Sequence, residues 1–588
     1  MKEFLKGFPL WQMTVICIIR FSEPITFTSL FPYVYFMIRD FGIAKTPSDI
    51  SKYTGMLAAS FALAQFFCCI HWGRLSDRIG RKPVLLIGLC GLAVTITIFG
   101  FAKNFYVALA ARTCAGALNG NVAVLQTVVG ELVTERRHQS IAFATLPLLW
   151  NVGSVIGPLI GGSKYLTRPQ KDKDVDQVVA LSLALIHDEF LNNHPYALSN
   201  LVVAAALTFS ALAGFLFLEE TQQRNRKKYD LGLSIGDSIR RFLGFGVPVR
   251  EWEKVSTSTR TEEAIQEDSL ANDDAASISS EASESTEQTA LLHRPIQLAS
   301  DDDEIEPVRS QPEGYLTRRT SRAMIRRYSS AYSIQPVNLR LSEFTTTEKV
   351  TGLFEAFADR TIFTYRVLGT MMGYFSIAFH ALIYSEFVPV FLAAQFKTDH
   401  LKFPWEIQGG MEWSTEDIGT MLSSVGLVGC FLILLVFPFL DRHVRTINGF
   451  RFACSMFPIA YFFLPYCIFL TKQYNPDFPE WLHTVAIYSC SILAIFGNSL
   501  AFPQITILVF RATKPEYRAL VNATTMSANS LARFIAPLVW GSLTSFFDAR
   551  SLAQVPWNIL CGIAVLGLVL AFKIDEYDED LTAGEESE

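Results

Sequence analysis

The chain has 588 residues, of which 50% are hydrophobic and 13% aromatic, and its mean hydropathy is +0.28. A formal net charge of −6 gives no reason to expect nucleic acid binding. Its ten cysteines show no metal-ligand spacing, so we expect free thiols, no bound metal and no cofactor.

The apolar residues are gathered into twelve runs, each near the roughly 20 residues that a helix needs to cross a bilayer. Six precede and six follow a long polar insert, at residues 10–38, 53–72, 83–101, 105–130, 140–163 and 198–218, then 366–396, 416–438, 451–471, 481–509, 519–546 and 555–573. The sequence therefore predicts an all-α polytopic membrane protein. Its parts are an N-terminal half (1–218), a cytoplasmic linker (219–365), a C-terminal half (366–573) and an acidic cytoplasmic tail (574–588).

A short charged link separates the second and third runs. This signature link reads Gly73-Arg74-Leu75-Ser76-Asp77-Arg78-Ile79-Gly80-Arg81-Lys82. Lys and Arg concentrate on the cytoplasmic side of membrane proteins, so we expect the link to be cytoplasmic. The string resembles the G-x-L-(S/A)-D-R-x-G-R-(R/K) signature of the major facilitator superfamily. That resemblance implies two six-helix halves and a latch that stabilises the outward-facing state.

Individual residues of the link have expected partners. Gly73 should let two helices approach closely, and Asp77 should lie at the N-terminus of a neighbouring helix. Arg78 or Arg81 should pair with a carboxylate at the cytoplasmic end of another helix. Glu131, which ends the fourth run, is the best candidate for that carboxylate.

Ionisable side chains inside a span are costly and therefore indicate function. In the first run Arg20 and Glu23 are three residues apart and share a helix face, and Glu23 lies about 18 Å along the helix from Trp11. Arg112, four residues before Gly116, resembles the superfamily's R-x-x-x-G motif, which implies a link to proton transfer. We expect Glu23 to bind and release a proton under the influence of Arg112 or Arg20. A permanent structural Arg–Glu pair is the alternative.

The fifth run is rich in small residues. It contains Gly153, Gly157, Pro158, Gly161 and Gly162 in the pattern G-x-x-x-G-P-x-x-G-G, which resembles a motif associated with proton-coupled antiporters. Ordinary small-residue packing is the alternative interpretation. Together with the first run and Trp150, this region resembles the zinc-induced facilitator-like group of plants and fungi, most strongly over 25–165. The resemblance implies that metal chelators or organic ions are exchanged for protons.

The linker is rich in Ser, Glu, Asp and Thr between about 255 and 340, a composition typical of disorder. A short helix is expected earlier, over 231–245. Glu287, Leu291 and Leu292 resemble an acidic dileucine sorting signal, which implies a sorting adaptor and favours the vacuolar membrane over the plasma membrane. Ser321 and Ser329 follow pairs of arginines and resemble kinase sites, although such short motifs also arise by chance.

The seventh run offers two further candidates for proton coupling, His380 and Glu386. Histidine has an ordinary pKa near physiological pH, but a lone buried histidine is more often structural. Glu386 could equally face solvent at the mouth of a cavity. Some of the polar side chains at inner positions of the spans, a set that includes Arg533, are expected to line the substrate cavity. The main candidates are Gln65, Asn119, Gln126, Trp150, Asn151, Tyr384, Asn498 and Asn529.

These patterns predict a monomeric proton-coupled antiporter that moves a small organic molecule out of the cytoplasm by alternating access. One alternative is a facilitative or proton-symport uptake carrier of the same fold. Another is a membrane sensor or scaffold that signals through the linker. No nucleophile–base or metal constellation stands out in the sequence, so we do not expect an enzyme.

Overall fold

The computed structural model describes most of the two predicted halves and the first part of the linker. The described residues are 8–133, 136–169, 190–222, 224–226, 228–248, 250, 252, 363–398, 401–513 and 518–576. Within these ranges the regular structure is helical, and β-pairing is limited to isolated bridges.

The first half contains all six predicted spans, two of them divided into shorter helices. The helices are Leu10–Thr28 and Val34–Asp40 (first span), Asp49–Ile79 (second), Arg81–Gly100 (third), Phe105–Leu118 and Asn121–Leu132 (fourth), Arg136–Gly162 (fifth) and Ala197–Phe217 (sixth). A further helix, Leu231–Phe242, follows in the linker and agrees with the short helix predicted there. We call it the linker helix.

The second half also contains six spans. These are Tyr365–Ala393 (seventh), Thr415–Phe431 continued by Leu432–Val436 and Phe437–His443 (eighth), Thr446–Phe463 continued by Leu464–Leu470 (ninth), Trp481–Ala512 (tenth), Arg518–Asp548 (eleventh) and Gln554–Lys573 (twelfth). The eighth span begins at a capping box, in which Ser414 and Asp417 each bond the other's backbone N–H.

Not every predicted span passes a length and hydropathy test as a single helix. Among the described residues, eight helices do, and the bent pair Asp49–Cys69 and His71–Ile79 makes a ninth. The first and fourth spans are each divided in two, and the fifth begins with the polar residues 136–140. The prediction of an all-α, multi-pass membrane protein is confirmed.

The two halves meet where the second span packs on the eleventh and the fifth packs on the eighth. Glycines allow this contact. A Cβ on Gly55 would lie 2.1 Å from the Pro537 carbonyl oxygen, and one on Gly162 would lie 2.7 Å from the Cα of Gly419. Gly55 lies about 36 Å along the second span from Ile79 in the signature link. The halves are therefore closest at the end of the molecule far from that link.

Candidate functional site

A cavity of about 1050 Å³ lies between the halves. Its lining reaches Phe437 and Phe510, which lie at the ends of their spans near the signature link, and Asn522 at the start of the eleventh span. The wall is mostly apolar and aromatic, with several amide side chains. A space of this size and character suits a drug-sized organic molecule.

Six of the eight predicted cavity residues line this space: Gln126, Trp150, Asn151, Tyr384, Asn498 and Asn529. Gln65 and Asn119 are not among the residues that line the cavity in this structure, although Asn119 lines a small pocket beside it. The Gln65 Nε2 atom donates to the Asn119 carbonyl oxygen at 3.2 Å, where the fourth span is broken. Polar side chains inside a bundle also form hydrogen bonds to neighbouring spans of the same half. Residue type alone does not show whether such a side chain lines the cavity or bonds another helix.

Arg20 and Glu23 form an ion pair on the first span, and both side chains are largely buried. The Asn119 Nδ2 atom also donates to the Glu23 carboxylate at 3.5 Å. Arg20 lines the cavity and its guanidinium lies 5.7 Å from the centre of the Trp150 ring. Glu23 lines a small pocket together with Asn119 and Arg112.

Arg112 is buried within the first half, with only 3% of its surface exposed. Its guanidinium lies over the rings of Phe61, at 4.8 Å, and Phe99, at 5.9 Å. The Nε atom has no hydrogen-bond partner in the described part of the chain. The charge of Glu386 from the other half acts on this guanidinium.

Glu386 is also buried, with 6% of its surface exposed, and so does not lie at a solvated cavity mouth. Its Oε2 atom has no hydrogen-bond partner among the described residues. The charges of Arg533 and Arg112 act on this carboxylate. The structure therefore brings Glu23, Arg112 and Glu386 into one electrostatic cluster between the halves.

Arg533 links this cluster to the cavity. It lines both the cavity and the small pocket, and its guanidinium lies 5.1 Å from the centre of the Phe27 ring. The charges of Glu386 and Glu23 both act on it. The sequence analysis placed Arg533 only among inner polar residues. The rule applied to Arg112, that a charge inside a span indicates function, would also have singled it out.

His380 lies apart from the cluster. It is 2% exposed, its Nδ1 atom hydrogen-bonds the Tyr461 hydroxyl at 2.9 Å, and its ring meets Phe457 edge-on at 4.7 Å. Tyr461 stacks on Tyr384 with the ring centres 5.0 Å apart, and both tyrosines line the cavity. The histidine thus supports the cavity wall from behind.

The signature link is held within its own half. Arg81 donates to Glu131 at 2.9 Å and to Asp77 at 2.5 Å, whereas Arg78 is exposed. Of the two arginines left open by the sequence, Arg81 is the partner of Glu131. The Asp77 carboxylate accepts from Arg81 and its side chain is 68% exposed, while the Asp77 carbonyl oxygen accepts from the Gln222 amide.

Two details of the link differ from expectation. A Cβ added to Gly73 would meet no atom within 4 Å, so no helix approaches closely there. The carboxylate at the start of the third span is Glu220, which accepts from the backbone nitrogens of Arg81 and Lys82 at 2.9 and 3.1 Å. Gly80 makes room for it, with φ of +111° and Glu220 Oε2 2.3 Å from where a Cβ would be.

The glycines of the fifth span face the first span. A Cβ on Gly153 would lie 2.4 Å from the Pro24 ring, one on Gly157 would lie 2.0 Å from the Thr28 hydroxyl, and one on Gly161 would lie 1.8 Å from the carbonyl oxygen of residue 29. Pro158 lines the cavity, and Gly162 faces the eighth span. The glycine run therefore packs the first span against the fifth.

The predicted sorting residues Glu287, Leu291 and Leu292 lie outside the described residues, as do Ser321 and Ser329. Among the described residues, no group of three or more His, Cys, Asp or Glu side chains could hold a metal ion.

Comparison with known proteins identifies related sequences. The sequence model of the Major Facilitator Superfamily matches residues 16–475 and 368–588. The major facilitator superfamily multidrug transporter mfsB of Aspergillus fumigatus is 32% identical over 573 residues, covering 97% of this chain and 84% of that protein. Protein ZINC INDUCED FACILITATOR-LIKE 1 of Arabidopsis thaliana is 39% identical over 171 residues, covering 29% of this chain and 35% of that protein.

Among solved structures, the nucleoside transporter NupG resembles this chain with a TM-score of 0.54 at 11% sequence identity. The match covers 96% of this chain and 99% of that protein. At this identity the likeness concerns the fold alone.

Proposed function

The chain belongs to the major facilitator superfamily, and we propose that it exchanges protons for a small organic molecule that it moves out of the cytoplasm. It is a multi-pass, non-enzymatic transporter, and its relatives include zinc-induced facilitator-like proteins. Relatives named multidrug transporter and efflux pump support outward movement of a drug-like cargo.

The observation that carries proton coupling is the position of two buried carboxylates behind cavity arginines. Arg20 and Arg533 line the cavity, while Glu23 and Glu386 do not. Arg20 pairs with Glu23, and the charge of Arg533 acts on Glu386. Protonating either carboxylate leaves its arginine uncompensated and makes the cavity more positive. A cationic cargo then binds less well, which is what exchange requires.

The same electrostatics support a second candidate function, proton symport, if the cargo is an anion. With both carboxylates ionised, the cluster of Arg20, Arg112, Arg533, Glu23 and Glu386 still carries one excess positive charge. An anionic cargo would bind better after protonation and would travel together with the proton. Cargo charge therefore separates antiport from symport in this site.

The conformation supports alternating access with the signature link as the latch. The halves touch at the end far from the link, and the cavity extends toward the link. If the link is cytoplasmic, as its basic residues favour, this is the inward-facing state. Asp77 is exposed here, in keeping with a latch that is released when the carrier faces inward.

Proton release from reconstituted vesicles tests this proposal. Cationic and anionic dyes of similar size are added to wild type, Glu23→Gln, Glu386→Gln and, as a matched control, Asp477→Asn, an exposed carboxylate between the ninth and tenth spans. We expect proton release on addition of cationic dyes, lost in the first two variants and kept in the control. Dye flux without proton movement would refute coupling, and proton uptake with anionic dyes would favour symport. No flux of any dye would favour the sensor interpretation.

For location we propose the vacuolar membrane, on the strength of the dileucine pattern, with a sorting adaptor and kinases as partners of the linker. A tagged chain carrying Leu291→Ala and Leu292→Ala should lose this location. A variant that still reaches the vacuole would remove the reason for the proposal.

A further inference from the structure

The linker helix carries an apolar face that no other described residue covers. We define the apolar stripe as Leu231, Ile235, Ile239 and Phe242, which recur every three or four residues and are all exposed, Phe242 by 90%. The opposite face is buried through Gly232, Leu233, Gly236 and Asp237. The helix is therefore amphipathic but presents its apolar stripe outward.

The linker helix lies across the end of the sixth span. A Cβ on Gly232 would be 2.2 Å from the carbonyl oxygen of Phe215, and one on Gly236 would be 1.9 Å from that of Leu216. Four residues advance about 6 Å along the linker helix while its contacts advance by about 1.5 Å along the span. The two axes therefore cross steeply, so that the linker helix does not continue the direction in which the span crosses the bilayer.

The apolar stripe adjoins a surface that faces lipid. On the sixth span Phe209, Leu212 and Phe215 are exposed at three-residue intervals and form one face of a membrane-crossing helix. Phe215 also contacts the position of Gly232 in the linker helix. The exposed apolar surface of the span is thus continued by the linker helix at the bilayer edge.

Salt bridges fix the linker helix in this place. Arg250 donates to Asp237 at 2.6 and 2.7 Å and to Glu219 at 2.5 Å. Burial lowers the pKa of Arg250, but the two carboxylates outweigh it and raise that pKa above its ordinary value. Asp230 caps the helix and pairs with Lys82 at 2.7 Å, next to the signature link.

The same bonds leave exposed cations near the apolar stripe. The acidic groups Glu219, Asp230 and Asp237 are occupied by Arg250 or Lys82. The exposed residues Arg224 and Lys228 precede the linker helix and the exposed Arg241 lies in its last turn, and we call these three the basic cluster. Basic residues that follow a span and lie on an amphipathic helix suit the anionic lipids of the cytoplasmic leaflet.

We infer that the linker helix is a lipid-binding element, with the apolar stripe inserted at the bilayer surface and the basic cluster on anionic phospholipid headgroups. The occupant is the leaflet next to the signature link. This site is separate from the central cavity and depends neither on the cargo nor on proton coupling. Because Asp230 and Glu219 tie the helix to the signature-link end, the lipid there stabilises the arrangement around Lys82.

Hydrogen exchange on the full chain in nanodiscs tests the inference. The probes are nanodiscs of phosphatidylcholine alone and of phosphatidylcholine with phosphatidylserine. We expect phosphatidylserine to slow amide exchange in 231–242 of the wild type. A variant with Arg224→Gln, Lys228→Gln and Arg241→Gln should lose that added protection by on the order of 100-fold, since each cation contributes about fivefold. Arg550→Gln, an exposed charge at the opposite end, should respond like the wild type.

A second variant tests the apolar stripe itself. Ile235→Glu with Ile239→Glu should exchange faster over 231–242 in both kinds of nanodisc, while amides of the sixth span keep wild-type protection and so show an intact fold. Two results would overturn the inference. One is equal exchange of the wild type with and without phosphatidylserine, and the other is wild-type exchange in the glutamate variant. The belt protein and the rest of the chain are the same in both kinds of nanodisc, so a difference in protection between them reports the lipid.

Discussion

Gly161 lies against the main chain of the first span, and replacing it with alanine tests how closely the two spans must pack. The new Cβ would lie 1.8 Å from the carbonyl oxygen of Ser29, whereas ordinary contact begins at 3.4 Å. A main-chain oxygen cannot rotate away, so the spans must separate. Overpacking of this kind costs about 3 kcal/mol, and the better helix propensity of alanine returns about 1. The expected net loss of stability is about 2 kcal/mol.

Two other glycines complete a graded series. Gly157→Ala meets the Thr28 hydroxyl, which can turn only by giving up its 2.7 Å bond to the Pro24 carbonyl, and it also crowds the main-chain atoms Ser29 N and Ile25 O at 3.0 and 3.1 Å. These effects cost about 2 kcal/mol and the helix propensity of alanine returns about 1, so the net loss should be near 1 kcal/mol. Gly369→Ala is the matched control, because its Cβ would meet no atom within 4 Å. Thermal unfolding of the purified variants should rank Gly161→Ala lowest and the control highest. A midpoint for Gly161→Ala at or above the control would refute the close packing of the first and fifth spans.

Three further changes follow from the contacts of single side chains. Arg81→Lys keeps the charge but cannot reach all the partners of the guanidinium, and thermal unfolding should report a loss of about 2 kcal/mol. Asn529→Ala should weaken binding of a transported dye about fivefold, as expected for one hydrogen bond, while Gln65→Ala, outside the cavity, should leave it unchanged. Arg250→Ala leaves a buried carboxylate without its partner, and exchange in the linker helix should accelerate by about 100-fold, corresponding to about 3 kcal/mol.

Local patterns in the sequence predicted the helices and the short-range contacts well. Spans follow from runs of apolar residues, and the Arg20–Glu23 pair follows from a three-residue spacing on one helix face. The glycine spacing of the fifth span predicted close packing, although it could not name the first span as the partner. Such features need only the periodicity of one helix.

Contacts between segments far apart in the sequence were harder to predict. Glu220 caps the third span although it follows Arg81 by more than a hundred residues, and the sequence suggested Asp77 for that kind of position. Both are carboxylates near a helix end, and only the path of the sixth span decides which one arrives there. The error at Gly73 has a similar origin, because a glycine permits a close approach without supplying the neighbour.

The central cluster shows why single-residue rules identify buried charges but not how those charges are arranged. Glu23 and Glu386 were each chosen because a buried charge is costly, yet they come from different halves and had no predicted relation. In the structure both carboxylates interact electrostatically with Arg533, which lines the cavity. Arg533 belongs to the second half and Arg20 to the first, so the proposed rocking of the halves would move these two arginines relative to each other. The cluster is therefore a property of the interface between the halves, which no pattern within one span encodes.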